Sequence, residues 1–166
     1  MEIERKFTIK NLPDNLEQYE YADIVQGYLL RKPVVRVRKW NDEFILTYKL
    51  KLDKGDGPIV NIEEEFPLNE KGFYHLLEKC DGNTIVKRRY LIPLDERYKG
   101  KQAGTGKQLI CELDVFSGCL EGLMFVEVEF GSEEEAEEFI MPEWFDEDVT
   151  HDKNYSNGHL TQKSHL

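Results

Sequence analysis

A chain of 166 residues, 40% hydrophobic and 11% aromatic, can bury one core, has no room for two full-sized domains, and is too apolar for disorder to dominate. Its net charge of −11, from 33 acids against 22 bases, argues against a nucleic-acid backbone as the main partner. No run reaches the roughly 18–20 apolar residues of a membrane span, the start MEIERKF is charged from its second residue, and Cys80, Cys111 and Cys119 have neither metal-ligand spacing nor a disulfide framework. A soluble, reduced, cytoplasmic protein without membrane or stable nucleic-acid partners is expected.

Period-two segments bounded by turn residues predict eight strands. In chain order they are Glu2–Ile9, Ile24–Leu30, Val34–Trp40, Phe44–Leu52, Ile59–Pro67, Thr84–Pro93, Leu109–Phe116 and Met124–Phe130. Leu12–Tyr21, between the first two, is expected to be a short helix. Asn41-Asp42 and Asp53–Gly57 carry turn chemistry and predict hairpins. Asn69 caps a helix running to Cys80, with Phe73, Leu76 and Leu77 on its apolar side. Arg97–Lys107, with three glycines, reads as a mobile loop. Ser132 with Glu135 forms a capping box that opens a helix to Met141. Cys111 and Trp144 are expected in the core, and the four histidines and the Glu133–Glu138 run at the surface. So many strands in one small domain, residues 1–166, predict a sandwich or a barrel.

The charges are segregated along the chain. Arg31 to Lys54 holds eight bases against three acids, Lys87 to Lys107 seven against two, and Gln108 to Asp152 no Lys or Arg at all. Within the strands, like or paired charges recur at i, i+2 and therefore project to one side. The sets are Glu2, Glu4 and Lys6; Arg36 and Arg38; Lys49 and Lys51; Glu63 and Glu65; Lys87 and Arg89; Glu112 and Asp114; Glu127 and Glu129. Alternation alone is satisfied by a sheet with one solvated face. A solvated face, however, mixes Ser, Thr, Asn and Gln with charges of both signs, whereas these strands sort into basic and acidic pairs. The alternative is a barrel with its apolar face outward and its charged face lining the lumen. Such a lumen needs water, counter-charges and a ligand, because unpaired buried charge is costly. Bases in this number match several phosphates, and the acidic pairs match a hard divalent cation, Mg²⁺ or Mn²⁺. Together they read as a phosphoryl-transfer site.

The residues then resemble a known family. Glu2-Ile3-Glu4-Arg5-Lys6 is similar to the N-terminal ExExK signature of the CYTH, or triphosphate tunnel metalloenzyme, superfamily. Gln26-Gly27-Tyr28-Leu29, Val35–Arg38, Leu46–Lys49, Glu63–Pro67, Lys87–Tyr90, Glu112–Phe116, Gly122-Leu123 and Glu127–Glu129 follow the family order, as do Trp144, Val149-Thr150 and Tyr155–Asn157 near the end. The resemblance implies a mainly β, α+β fold: an eight-stranded antiparallel barrel forming a charged tunnel, with a few helices outside. It departs from the pattern at Asn61, where relatives often carry an acid, and at Asn154, where an Arg often precedes the Tyr.

The resemblance further implies hydrolysis of a triphosphate compound with Mg²⁺ or Mn²⁺, of the bacterial inorganic triphosphatase type acting on tripolyphosphate. Nucleoside, RNA or thiamine triphosphatase and class IV adenylate cyclase are the alternatives within the superfamily, and a non-catalytic polyphosphate-binding module the alternative outside it. It assigns Glu2, Glu4, Asp114, Glu127 and Glu129 to the metal, and Lys6, Arg36, Arg38, Lys49, Lys51, Lys87 and Arg89 to phosphate. Glu63, Glu65 and Glu112 are expected to orient the bases, and Lys87 with Tyr28 to form a catalytic pair. The base that takes the proton from water is left open between a glutamate and Lys87. Oligomeric state is also left open, with a homodimer one option.

Overall fold

The computed structural model describes residues 1–95, 101–102 and 107–162. Among these, nine strands form one sheet: β1 (Glu2–Ile9), β2 (Glu20–Arg31), β3 (Val34–Trp40), β4 (Glu43–Leu52), β5 (Ile59–Leu68), β6 (Asp81–Pro93), β7 (Ile110–Ser117), β8 (Met124–Phe130) and β9 (Phe145–Asp148). Eight of them close in the order β1-β8-β7-β6-β2-β3-β4-β5, with β1 pairing both β8 and β5, so the sheet is an antiparallel barrel. Beyond Glu4↔Ile59 the β5 edge parts from β1, and β9 takes over with Phe7↔Asp148 and Ile9↔Phe145.

Three helices accompany the barrel: α1 (Glu70–Leu77), α2 (Glu133–Glu138) and α3 (Asn157–Leu160). The side chains of Asn69 and Ser132 accept from Gly72 N at 2.6 Å and Glu135 N at 3.1 Å, so both expected caps form. The stop of α2 at Glu138, short of Met141, follows from Phe139, which turns extended and buries its ring in the core ahead of Pro142. The outer end of α1 lies directly on β2. A side chain at Gly27 would bring its Cβ within 2.8 Å of Cys80 Sγ, so this close approach requires glycine.

The main core lies outside the barrel wall. Phe7, Leu113, Val126, Val128 and Phe130 project outward and pack with Ala136, Phe139 and Phe145. Cys111 is fully buried there and Trp144 packs against it, as expected. A second cluster, Tyr28, Ile85, Phe116, Leu120, Phe125 and Leu160, closes one end of the barrel beneath α3. Arg31 anchors that closure by donating to Gly158 O at 3.2 Å and to Thr161 Oγ1 at 2.9 Å.

Two expectations are corrected. The helix over Leu12–Tyr21 reduces to a 3₁₀ turn at Leu16–Gln18, because Asn15 takes a left-handed φ of 56° and Glu20 and Tyr21 pair with Leu91 and Tyr90 of β6. The segments β9 and α3 were not anticipated. Of the expected loop Arg97–Lys107, Lys101–Gln102 pairs with Lys107–Gln108, and the rest lies outside the described residues. Asn41 takes φ 52° in the two-residue turn closed by Trp40↔Glu43, as its turn chemistry implies.

Candidate active site

Cross-strand partners share a face, so the register identifies what lines the lumen. One row runs Tyr28↔Arg36↔Thr47↔Glu65, the next Gln26↔Arg38↔Ile45. Others are Ala22↔Arg89↔Asp114↔Phe125, Lys6↔Glu127↔Glu112, Glu4↔Glu129 and Lys49↔Glu63. The charged sets thus face inward while Phe7, Val37, Leu113, Val126 and Val128 face outward, fully buried. The lumen has three zones. Acids gather at the open end, where Glu65 and Glu129 are exposed. Arg36, Arg38, Lys87 and Arg89 form a buried basic waist. Tyr28, Ile85, Phe116 and Phe125 lead to the apolar stopper at Leu160.

Asp114 organises the waist. It is wholly buried and receives Lys87 Nζ at 2.7 Å and Arg89 Nε and Nη2 at 2.8 and 3.0 Å. Arg89 also pairs with Glu112. Arg38 Nε donates to Gln26 Oε1 at 2.8 Å. Lys49 bridges Glu2 at 2.7 Å and Glu63 at 3.2 Å, and Asn61 Nδ2 donates to the same Glu2 oxygen at 3.1 Å. Lys6 pairs with Glu127 at 3.3 Å and donates to Tyr155 O at 2.7 Å, which ties β1 to the closing segment.

This crowding perturbs the titrating groups in opposite senses. Burial, reinforced by Arg36 and Arg89, lowers Arg38 to about 9. Burial, reinforced by Arg89 and Arg38 and resisted by Asp114, lowers Lys87 to about 7. Burial with the charges of Glu127 and Glu2 raises Glu4 to about 8, and burial with Glu2, Glu112 and Glu63 raises Glu129 to about 7. Against its own burial, Glu127 is held well below the carboxylate range by Lys6, Arg89 and Lys87. Burial disfavours the Arg36 cation as well, but the Tyr28 oxygen and the Glu63 charge outweigh it and raise its pKa.

Of the residues singled out in the sequence, the structure brings Lys6, Arg36, Arg38, Lys49, Lys87 and Arg89 into one lumen with Glu2, Glu4, Glu63, Glu112, Asp114, Glu127 and Glu129. Lys51 and Glu65 share the inward parity but are exposed at the rims. The surroundings of two of these residues bear on their expected roles. Asp114, expected among the metal carboxylates, has both oxygens taken by Lys87 and Arg89. Tyr28, expected beside Lys87, stands opposite Arg36 on the neighbouring strand, and its oxygen favours the Arg36 cation, while Ile24 is the β2 residue set against Lys87. Among the described residues no three carboxylates, histidines or cysteines converge as a ready-made metal centre; Glu2 and Glu127 are turned instead to Lys49 and Lys6. Charge patterning also missed the neutral lumen residues Gln26, Thr47 and Asn61, which carry no signal of that kind. A cleft of about 230 Å³ bordered by Arg5, Asp148, Thr150 and His151 lies outside the barrel and gathers none of the waist bases, so charge rather than cavity size locates the site.

No family model matches the sequence. The chain is 35% identical over 159 residues to an inorganic triphosphatase of Nitrosomonas europaea, across 94% of this chain and 93% of that protein. In structure it is similar to the inorganic triphosphatase NE1496, with a TM-score of 0.68, 32% identity, and coverage of 100% of this chain and 97% of that one. A putative adenylyl cyclase from Hippeastrum, reported to have a dominant triphosphatase activity, shares the fold at 14% identity and a TM-score of 0.53, across 82% and 83% of the two chains. A charged lumen in a closed eight-stranded barrel and identity over nearly the whole length agree: the chain belongs to the inorganic triphosphatases of the CYTH superfamily.

Proposed function

We propose that the chain is a single tunnel domain that hydrolyses inorganic tripolyphosphate to pyrophosphate and phosphate with a divalent cation. The observation that carries this reading is the waist: four cations, each under a tenth exposed, on the two strands β3 and β6 that flank β2, two of them locked by one buried carboxylate. Such crowding of like charge is unfavourable in itself and makes sense as a cradle for a polyanion. The setting of three free cysteines supports a reducing, cytoplasmic location. Among the described residues no helix is long and apolar enough to cross a membrane.

In this reading Lys6, Arg36, Arg38, Lys49, Lys87 and Arg89 hold the extended anion, and Asp114 and Glu112 hold Lys87 and Arg89 in place for it. Tyr28 orients Arg36. Lys51, at the rim, meets the anion on entry, and Glu63 and Glu65 steady Lys49 and the mouth. The oxygen-only donor set at the mouth fits a hard divalent cation, Mg²⁺ or Mn²⁺. Glu4 stands opposite Glu129 on the neighbouring strand, and burial with neighbouring acids pushes the two up to about 8 and about 7, a cost that a bound cation would relieve. Glu2 and Glu127 would join that set on release from Lys49 and Lys6. A bound cation would supply charge neutralisation at the terminal phosphoryl group.

The chain's own groups then perform the transfer. Water attacks the terminal phosphorus in line, the bridging P–O bond breaks, and the electrons leave on pyrophosphate, stabilised by Arg36, Arg38 and Arg89. Lys87 fits the base for this water, since burial brings its pKa to about 7 and a neutral amine is present near neutral pH. The test is phosphate release across tripolyphosphate, ATP, GTP and thiamine triphosphate, each with Mg²⁺ and Mn²⁺. Tripolyphosphate should be the best substrate; cyclic AMP and pyrophosphate from ATP would replace this reading with a cyclase, and tight binding without turnover would replace it with a binding module.

A further inference from the structure

Two neutral side chains in the wall of the waist keep polar atoms that nothing among the described residues satisfies. Gln26 and Thr47 are both 0% exposed. Gln26 Oε1 accepts from Arg38, yet its Nε2 has no partner, and neither has the Thr47 hydroxyl. The amide orientation is fixed by chemistry: a guanidinium only donates, so the oxygen must face Arg38 and the NH₂ must point elsewhere. Gln26 stands opposite Arg38 and Thr47 opposite Arg36, so the two flank the arginine pair from β2 and β4 and share its inward face. A buried donor without an acceptor works against folding, and Leu or Val would fill either place without that penalty. The sequence therefore keeps these groups for something the folded chain does not contain.

What they can take is narrow. Both offer an N–H or O–H next to guanidiniums, so the complement is an anionic oxygen with lone pairs left over after the arginines have bonded it. A phosphoryl group provides that, and neutral donors add hydrogen bonds without adding to the repulsion among Arg36, Arg38 and Arg89. We propose that Gln26 and Thr47 are substrate-binding residues, donating through Nε2 and Oγ1 to the phosphoryl group that Arg36 and Arg38 hold. This inference rests on the triphosphatase reading above.

The test uses the full chain with Mg²⁺ and tripolyphosphate, measuring kcat, KM and the melting temperature of the ligand-free protein. Thr47→Val removes only the hydroxyl; it should lower kcat/KM by about tenfold, as expected for one hydrogen bond to a charged group, while the ligand-free melt stays level or rises. Thr47→Ser should restore kcat/KM to within about twofold of the parent. Gln26→Glu keeps the acceptor for Arg38 but turns the donor into an anionic oxygen, and should lower kcat/KM by about a hundredfold or more in a protein that still folds. Parental kcat/KM in Thr47→Val, or an equal loss in Thr47→Ser with a lower melt, would overturn the proposal even if Gln26→Glu fails to fold. If the parent neither turns over tripolyphosphate nor is stabilised by it, the triphosphatase reading falls and this proposal with it; if the parent does both and Thr47→Val matches it, this proposal falls alone.

Discussion

Arg36 and Arg38 sit two residues apart on β3 and face the same lumen, yet the structure predicts opposite effects on stability when each is replaced by Met. Arg38 is buried and crowded by Arg36 and Arg89, and it titrates at about 9, well below the usual guanidinium range. At roughly 1.4 kcal/mol per pH unit, holding that cation costs up to about 5 kcal/mol. Arg38→Met removes this cost and leaves Gln26 Oε1 without its donor, a loss of roughly 1–3 kcal/mol. A net gain on the order of 2 kcal/mol remains, or roughly 4–8 °C in melting temperature for a chain of this size. The sign is independent of pH below about 9, since there the cation is present in both folded and unfolded chains. Arg36 is the reverse case: Tyr28 and Glu63 favour its charge beyond what burial takes away. Arg36→Met should therefore lower the ligand-free stability by roughly 1–3 kcal/mol. Both variants should lose at least about a hundredfold in tripolyphosphate turnover, because each removes a charge-assisted contact that strengthens as the leaving group forms. Chelator-treated thermal melts at pH 7 beside a turnover assay decide the matter. If the two variants shift the melt in the same direction by the same amount, the crowding argument is wrong; if both keep parental activity, the lumen is not the site.

Turnover should require a divalent cation and be poor with Ca²⁺, whose longer and looser coordination misplaces the anion; full activity after exhaustive chelation would refute this. Because Glu4 and Glu129 titrate near 8 and 7, cation binding must displace protons, so the half-saturating Mg²⁺ concentration should rise roughly tenfold per pH unit and proton displaced as pH falls below 7; a value constant from pH 6 to 9 would count against these ligands. Tripolyphosphate should exceed ATP in kcat/KM, as the waist cations match a bare polyanion and give nothing to a nucleobase, and parity between the two would argue otherwise. Asp114→Asn should destabilise the fold by roughly 3–5 kcal/mol in urea titration, since it leaves Lys87 and Arg89 side by side with their shared charge gone, and a variant as stable as the parent would remove Asp114 from its organising place.

Strand placement was legible because each strand alternates: Ile3 with Glu2 and Glu4, or Val37 with Arg36 and Arg38, leaves one choice of face once the other is known. Three of the eight barrel strands, β1, β3 and β8, have the bounds that the pattern gave. What alternation does not contain is the partner of each charge. Whether Asp114 meets a cation from outside or Lys87 from β6 depends on register across strands far apart in sequence, and register likewise sets Tyr28 opposite Arg36. The short β9 and α3 escaped because four residues hold too few repeats for a period, and their stability comes from docking on β1 and on the barrel end. Gln26 and Thr47 stand out only through what they fail to bond, which a sequence cannot display.

The inward charges bear on how substrate and cation arrive. Lys6, Arg36, Arg38, Lys49, Lys87 and Arg89 face Glu2, Glu4, Glu63, Glu112, Asp114, Glu127 and Glu129, so the acids exceed the bases by one. Paired as they are, these groups leave the lumen close to neutral, in a protein whose total charge is −11. Tripolyphosphate brings about four to five negative charges near neutral pH, so the bases alone attract it while Glu2 and Glu127 repel it. Lys49 and Lys6 are also occupied by Glu2 and Glu127 and must be released to bind phosphate. In the proposed reading, a cation held by the mouth acids would offset that repulsion and leave those lysines available to phosphate. An anion held by the waist, in turn, lowers the cost of bringing positive charge to the mouth. By linkage each ligand would then strengthen the other by the same factor, and the waist and the mouth would work as one site rather than two neighbouring ones.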